Sequence, residues 1–155
     1  MDAATHPSDA LTLAAYAKIN LTLDVFSKRA DGYHSIASVL QMISLCDTLY
    51  LRRRAEPGIG FTCEAPTAFA VPTDATNLAV RAAEAVLAAA EERNTNSGVE
   101  IHLVKRIPAQ AGLGGGSSDA AATLRGVNAL LELGLDTARL HALATGLGSD
   151  VPFFL

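Results

Sequence analysis

The chain has 155 residues, half of them hydrophobic and 18% charged, with 12 Lys+Arg against 16 Asp+Glu and a formal net charge of −4. That is the size of one globular domain, able to bury roughly 70% of its unfolded surface, and it is too apolar and too weakly charged for a disordered chain. The mild acidity gives no general pull on nucleic acid or anionic lipid, and no stretch approaches the ~20 uncharged apolar residues of a membrane-spanning helix.

Residues 1–10 are polar, contain Pro7 and read as a disordered tail ahead of one domain over 11–155. They lack the basic segment and apolar core of a secretory signal. A cytoplasmic protein is therefore expected, with Cys46 and Cys63 as free thiols and Asn20-Leu21-Thr22 a chance glycosylation match. Leu11, Leu13, Ala15 and then Ile19, Leu21, Leu23, Val25 alternate as in a strand, with a break around Tyr16-Ala17-Lys18. Ala30-Asp31-Gly32-Tyr33 reads as a turn. Extended segments follow at Ile36 to Leu45, Thr48 to Arg53 and near Ile59 to Cys63.

Leu78, Ala82, Ala85, Val86 and Ala89 share one helical face, with Thr76 or Asn77 able to cap. Asn94 to Gly98 reads as a polar turn, and Val99, Ile101 and Leu103 alternate in a strand ending at Lys105-Arg106. Further helices are predicted over Ser117 to Leu133, ended by Gly134, and from Thr137 to Thr145, closed by Gly146. Strands first and helices later make an α+β layout. The run Arg52-Arg53-Arg54 reads as a solvated face.

The most specific segment is Ile107-Pro108-Ala109-Gln110-Ala111-Gly112-Leu113-Gly114-Gly115-Gly116-Ser117-Ser118-Asp119. It places four glycines in five positions between a strand and a helix. Such a segment exposes many backbone N–H groups at the positive end of a helix dipole, a site for phosphate. A plain tight turn explains so much glycine poorly. The loop is not a Walker A, because no Lys follows the glycines. Nor does it fit the dinucleotide fingerprint, whose third glycine would fall on Ser117.

Pro108 to Ser118 resembles the nucleotide-binding motif of the galactokinase, homoserine kinase, mevalonate kinase and phosphomevalonate kinase superfamily. Three further segments, Ala17-Lys18-Ile19-Asn20-Leu21, Arg29-Ala30-Asp31-Gly32-Tyr33-His34 and Gly148-Ser149-Asp150-Val151-Pro152-Phe153, are similar to the 4-diphosphocytidyl-2-C-methyl-D-erythritol kinases within it. The resemblance implies the fold of ribosomal protein S5 domain 2, a mixed β-sheet with helices packed on it and a left-handed βαβ crossover. It also implies ATP as co-substrate with Mg²⁺, a small-molecule alcohol as acceptor, and a step of non-mevalonate isoprenoid synthesis. A sister kinase acting on homoserine or a mevalonate derivative, and a nucleotide-binding lobe without catalysis, are the alternatives.

Residue by residue, the resemblance makes Lys18 and Asp150 the catalytic pair. Asp150 would take the hydroxyl proton, and Lys18 would pair with it and stabilise the developing oxyanion. Read alone, Lys18 could snorkel from its strand and Asp150 could cap a helix before Pro152. Pro108, Ala109, Gln110, Ala111, Gly112, Leu113, Gly114, Gly115, Gly116, Ser117 and Ser118 would hold ATP, joined by Asn77 and Lys105. For these last two an N-cap and a solvated strand end are the plain readings. Asn20, Tyr33 and His34 would contact the substrate, Tyr33 by stacking on the cytosine and His34 by bonding its edge. No protein ligand to a metal is assigned.

Members of the family are about twice this length, with a second lobe. This chain is accordingly expected to be the N-terminal lobe alone, inactive by itself, exposing an apolar patch at Val151 to Leu155 and prone to self-association.

Overall fold

A computed structural model describes residues 10–28, 32, 34–66, 68–90 and 98–155. In chain order its elements are β1 (Leu11–Asn20), β2 (Asp24–Lys28), β3 (His34–Ala37), β4 (Leu40–Arg54), β5 (Ile59–Glu64), α1 (Leu78–Ala90), β6 (Gly98–Val104), α2 (Gly115–Leu130), α3 (Thr137–Leu147) and a 3-10 helix over Val151–Phe154. The strands form a four-stranded sheet in the order β1-β4-β6-β5 and a two-stranded arm, β2-β3. Neighbours in the larger sheet are antiparallel except β5 and β6, which run parallel and are joined through α1. This is the expected α+β class with a mixed sheet.

One sheet face carries the core. Ala15, Leu49, Leu51, Val99, Ile101 and Leu103 point to it from alternate strand positions, and Ala82, Val86, Ala121, Leu124 and Val127 meet them from α1 and α2. The period of two in β6 is clean, with Val99, Ile101 and Leu103 buried between half-buried Glu100, His102 and Val104. Small alanine faces on both helices let them lie close to the sheet and to each other. The break read around Tyr16-Ala17-Lys18 is real: the β1–β4 register shifts between Tyr16 and Lys18, and Ala17 and Lys18 are buried in succession.

Several boundaries differ from expectation. The two segments read as Ile36 to Leu45 and Thr48 to Arg53 are largely one strand, β4, which passes straight through Asp47. Aspartate disfavours strands when its carboxylate must be solvated, but Asp47 is wholly buried and paired. Helix α2 starts two residues early, with Gly115 and Gly116 inside it, because Gly114 (φ +71°) supplies the cap. It ends at Leu130, before Glu132 and Gly134 take positive φ. Helix α3 continues through Gly146 to Leu147 and is closed by Gly148. The expected tail over residues 1–9, the turn at Ala30, Asp31 and Tyr33, and Asn94 to Ser97 lie outside the described residues.

The segment Val151 to Leu155 is not an exposed patch. Val151 and Phe154 are buried in the core. Pro152, at the start of the 3-10 helix, fits its fixed φ there, and the Arg125 guanidinium donates to the Phe154 carbonyl at 2.9 Å. The exposed apolar surface lies instead on the arm and its flanks, at Leu21, Leu23, Val25, Phe26, Ile36 and Val39. Nor is the arginine run simply solvated: Arg53 donates to the Leu130 carbonyl at the end of α2, and Arg54 pairs with Glu56 and Glu100. Cys46 and Cys63 are free and half-buried. Among the described residues no helix is long and apolar enough to cross a membrane.

Candidate active site

The glycine segment leads from the end of β6 into α2 and forms one wall of a cavity of about 390 Å³. Pro108 through Ser117, Lys105 and Asp119 line that side, and Ala70, Val71, Pro72, Asn77 and Leu78 face them. Gln110 holds φ +58°, a conformation costly for a side chain with a Cβ and found where a loop is held in place for a task. With Gly114 as cap, the first N–H groups of α2 have no intrahelical acceptors and stand at the positive end of the helix dipole. Ser117 lines the cavity, whereas Ser118 is buried beneath the loop, its amide donating to the Gly114 carbonyl at 2.8 Å.

Two neighbouring glycines each touch a different lysine. A Cβ on Gly114 would come within 2.9 Å of the Phe154 ring and 3.1 Å of Lys18 Cγ. One on Gly115 would meet Ile107 at 2.9 Å and the Lys105 ammonium at 3.2 Å. Close approach of side chains from both sides explains why neither position carries one. Gly116 differs: a Cβ there would make an ordinary 3.4 Å contact with Leu78.

On the Gly114 side, Lys18 is 7% exposed, so it does not snorkel. Its ammonium donates to Asn20 Oδ1 at 2.7 Å and lies 3.4 Å from Asp150 Oδ2. Asn20 in turn donates to Ser38 Oγ at 2.6 Å, and Ser38 donates to the Thr22 carbonyl at 2.6 Å. Asp150 precedes the 3-10 helix but makes no side-chain cap bond to it, and its side chain is 40% exposed. The capping explanation of Asp150 therefore fails, and a carboxylate open to solvent faces a buried ammonium.

On the Gly115 side, Lys105 is 6% exposed and not the solvated strand end its sequence suggests. Its ammonium donates to Asp47 Oδ2 and, at 2.6 Å, to Asp119 Oδ2. Asp47 Oδ1 accepts the amides of Arg106 at 2.5 Å and Ile107 at 2.8 Å, anchoring the start of the loop. Burial works against the charge on Lys105, but the two carboxylates outweigh it and raise its pKa. Burial likewise pushes the Asp119 carboxyl up to about 7, with Lys105 opposing and Asp47 adding to the rise.

Asn77 lines the cavity but has its amide engaged with the backbone, accepting from Ala79 N at 2.9 Å and donating to the Pro72 carbonyl at 2.7 Å. It caps α1 and shapes the wall. Tyr33 and the His34 side chain lie outside the described residues; the His34 backbone opens β3. Sequence reading missed Asp47, Asp119 and Ser38. For Asp47 a signal existed, since it shares the parity of Leu49 and Leu51 and so had to point inward. Asp119 and Ser38 carried none.

The site is thus a glycine loop at a helix start, pressed between two buried lysines on a mixed sheet. Residues 77–155 match the family model described as GHMP kinases N terminal domain, and the chain belongs to that family. It is 52% identical over 144 residues to the 4-diphosphocytidyl-2-C-methyl-D-erythritol kinase of Synechococcus sp. (strain JA-2-3B'a(2-13)), a match covering 93% of this chain and 44% of that protein. A crystal structure of 4-(cytidine 5'-diphospho)-2C-methyl-D-erythritol kinase superposes with a TM-score of 0.75 at 42% identity, covering 93% of this chain and 48% of that one. The homoserine kinase of Cytophaga hutchinsonii shares the fold at a TM-score of 0.65 and 22% identity, covering 90% of this chain and 41% of that one. The chain spans about half the length of the curated relatives it matches.

Proposed function

We propose that this chain is the nucleotide-binding lobe of a cytoplasmic ATP-dependent kinase that phosphorylates the 2-hydroxyl of 4-diphosphocytidyl-2-C-methyl-D-erythritol in non-mevalonate isoprenoid synthesis. The observation that carries the reading is Lys18, which crowds Gly114 of the glycine loop and whose ammonium lies 3.4 Å from Asp150 Oδ2. On this reading a proton acceptor and a cation stand beside the terminal phosphoryl group of ATP.

Phosphoryl transfer asks the protein for alignment and charge neutralisation more than for covalent chemistry. The N–H groups at the start of α2 and Lys105 hold the ATP phosphates. Asp150 accepts the hydroxyl proton as the oxygen attacks, and Lys18 stabilises the developing negative charge. Asn20, fixed by Lys18 and Ser38, orients the acceptor. Tyr33 stacks on the cytosine, and His34 bonds its edge. ATP implies Mg²⁺, which would be held largely by phosphate oxygens and water and would neutralise phosphate charge.

The test is ADP release over a panel of the cytidine diphosphate conjugate, homoserine and mevalonate, using the gene product at the relatives' length. Turnover of the conjugate alone supports the reading; preference for another alcohol points to a sister kinase. A second arm uses Gly116→Ala. The protein has room for this methyl group and helix propensity favours it by about 1 kcal/mol, so a folded variant with at least ~10-fold weaker ATP binding supports backbone contact with phosphate. Unchanged affinity counts against it. The same ADP-release assay on the 155-residue chain tests the alternative of a lobe that binds nucleotide without catalysis, whose expected outcome is ATP binding with little or no turnover.

A further inference from the structure

We propose that Asp119 takes up a proton on Oδ1 when a polyphosphate enters the glycine-loop cavity, so that anion binding and protonation of this buried carboxyl are one linked event. The inference rests on reading the cavity as a phosphate site, and it adds Asp119 to the residues that make the site.

The geometry sets an imbalance. Asp119 is the fifth residue of α2, is 2% exposed and lines the cavity. Its Oδ2 accepts from Lys105, but its buried Oδ1 has no hydrogen-bond partner among the described residues. Asp47, by contrast, is satisfied by Lys105 and the amides of Arg106 and Ile107. The titratable groups facing Asp119 are Lys105 at the end of β6, Asp47 on β4 and the Cys63 thiol on β5. Burial pushes that thiol up, away from the thiolate, so it stays neutral and adds no charge to the cluster. With both carboxylates ionised, one ammonium faces two negative charges. The excess charge lies beside the backbone donors that gather phosphate.

An ionised Oδ1 is an acceptor only, and so are the oxygens of a fully ionised phosphate. The two cannot pair, and their charges repel. A proton from bulk solvent on Oδ1 forms one O–H bond, cancels the excess charge and gives the orphan oxygen something to donate. Near neutral pH the step costs little, because burial already holds this carboxyl at about 7. The negative charge of an arriving polyphosphate favours the neutral acid further.

Calorimetric titration of the 155-residue chain with ADP, at pH 7.5 in two buffers of different ionisation enthalpy, counts the protons exchanged. Asp119→Asn is the reference. Its carboxamide can accept from Lys105 and donate from the position of Oδ1, so it mimics the neutral acid, and the titration of ADP itself cancels in the difference. The wild type should take up more protons per ADP than the variant, by up to about one, and its affinity should fall relative to the variant by up to ~10-fold per pH unit above pH 7. Equal proton counts with ADP bound would overturn the proposal and leave the phosphate site standing. Absence of ADP binding to the folded chain would overturn both. If the variant does not fold, the carboxyl ¹³C resonance of Asp119 in the wild type decides: a move toward the protonated value on adding ADP supports the proposal, and a fixed resonance overturns it.

Discussion

Lys18 and Lys105 flank the same loop from opposite sides, yet their surroundings differ in one respect that sorts their roles. Lys105 is shared by Asp47 and Asp119, which are 0% and 2% exposed, and the same Asp47 holds two backbone amides at the start of the loop. Lys18 is nearly as buried, but its carboxylate partner Asp150 is 40% exposed and 3.4 Å away. A cation locked among buried anions fixes structure, because removing either partner strands a charge in a medium that cannot solvate it. A buried cation facing an open carboxylate can admit a third group between them. On the proposed reading, the first arrangement anchors the loop and fixes Lys105 beside the ATP phosphates, and the second leaves space for the acceptor.

Substitutions should separate the two. The largest effect is expected from Asp150→Asn in the complete enzyme: kcat should fall ~10²–10⁴-fold with ATP affinity nearly unchanged, as for a lost general base. Steady-state kinetics checks it, and near-normal turnover would erase the functional half of the contrast. Asp47→Ala should show the opposite profile, a loss of about 3–5 kcal/mol of stability in denaturant unfolding, as when one partner of a buried ion pair is removed. A mild effect would mean that the Lys105 cluster is not an anchor.

Gly114→Ala sharpens the comparison at the point where the loop meets Lys18. Its φ of +71° and the crowding by Phe154 and Lys18 should cost about 1–2 kcal/mol, with turnover reduced beyond what the lost stability explains. Equal thermal shifts and unaltered kcat would detach Lys18 from the loop. The last effect is a slope. The folded Asp119 carboxyl at about 7 stands above its ordinary value of 3.8, so between those values the folded state holds the proton that the unfolded state has released. Stability from this group is accordingly lost as pH rises from about 4 to 7, a window in which Lys105, its pKa raised, stays charged. Asp119→Asn should flatten that part of the pH–stability profile, as read by thermal unfolding at a series of pH values.

Much of this was legible in the sequence, for identifiable reasons. Alternation placed Val99, Ile101 and Leu103 on the core face, because a half-buried sheet allows only one parity. The break at Tyr16 to Lys18 marked a true register shift. The glycine segment was readable because so much glycine is costly in an ordinary turn or helix, whereas Lys18 and Asp150 were singled out only by the family resemblance. The Lys105 cluster was not legible: Asp47, Lys105 and Asp119 lie on three separate elements, and only the pairing of β4 with β6 and the docking of α2 bring them together. A lone charged residue on a strand looks solvated until its distant partners are known. The capping of Arg53 onto α2 and the burial of Val151 and Phe154 were hidden for the same reason.

The amide of Lys18 donates to the carbonyl of Leu113 at 2.9 Å, and this single bond works as a caliper. It joins the free edge of β1 to the crest of the loop, so the residue expected to steady the acceptor and the peptide expected to cradle the donor are held a fixed width apart. A strand rim occupied in this way also has less to offer a foreign strand. The spacing of two reactants and the guarding of an exposed edge thus depend on the same peptide group, and loosening it would be felt as a slower reaction and as a stickier protein together.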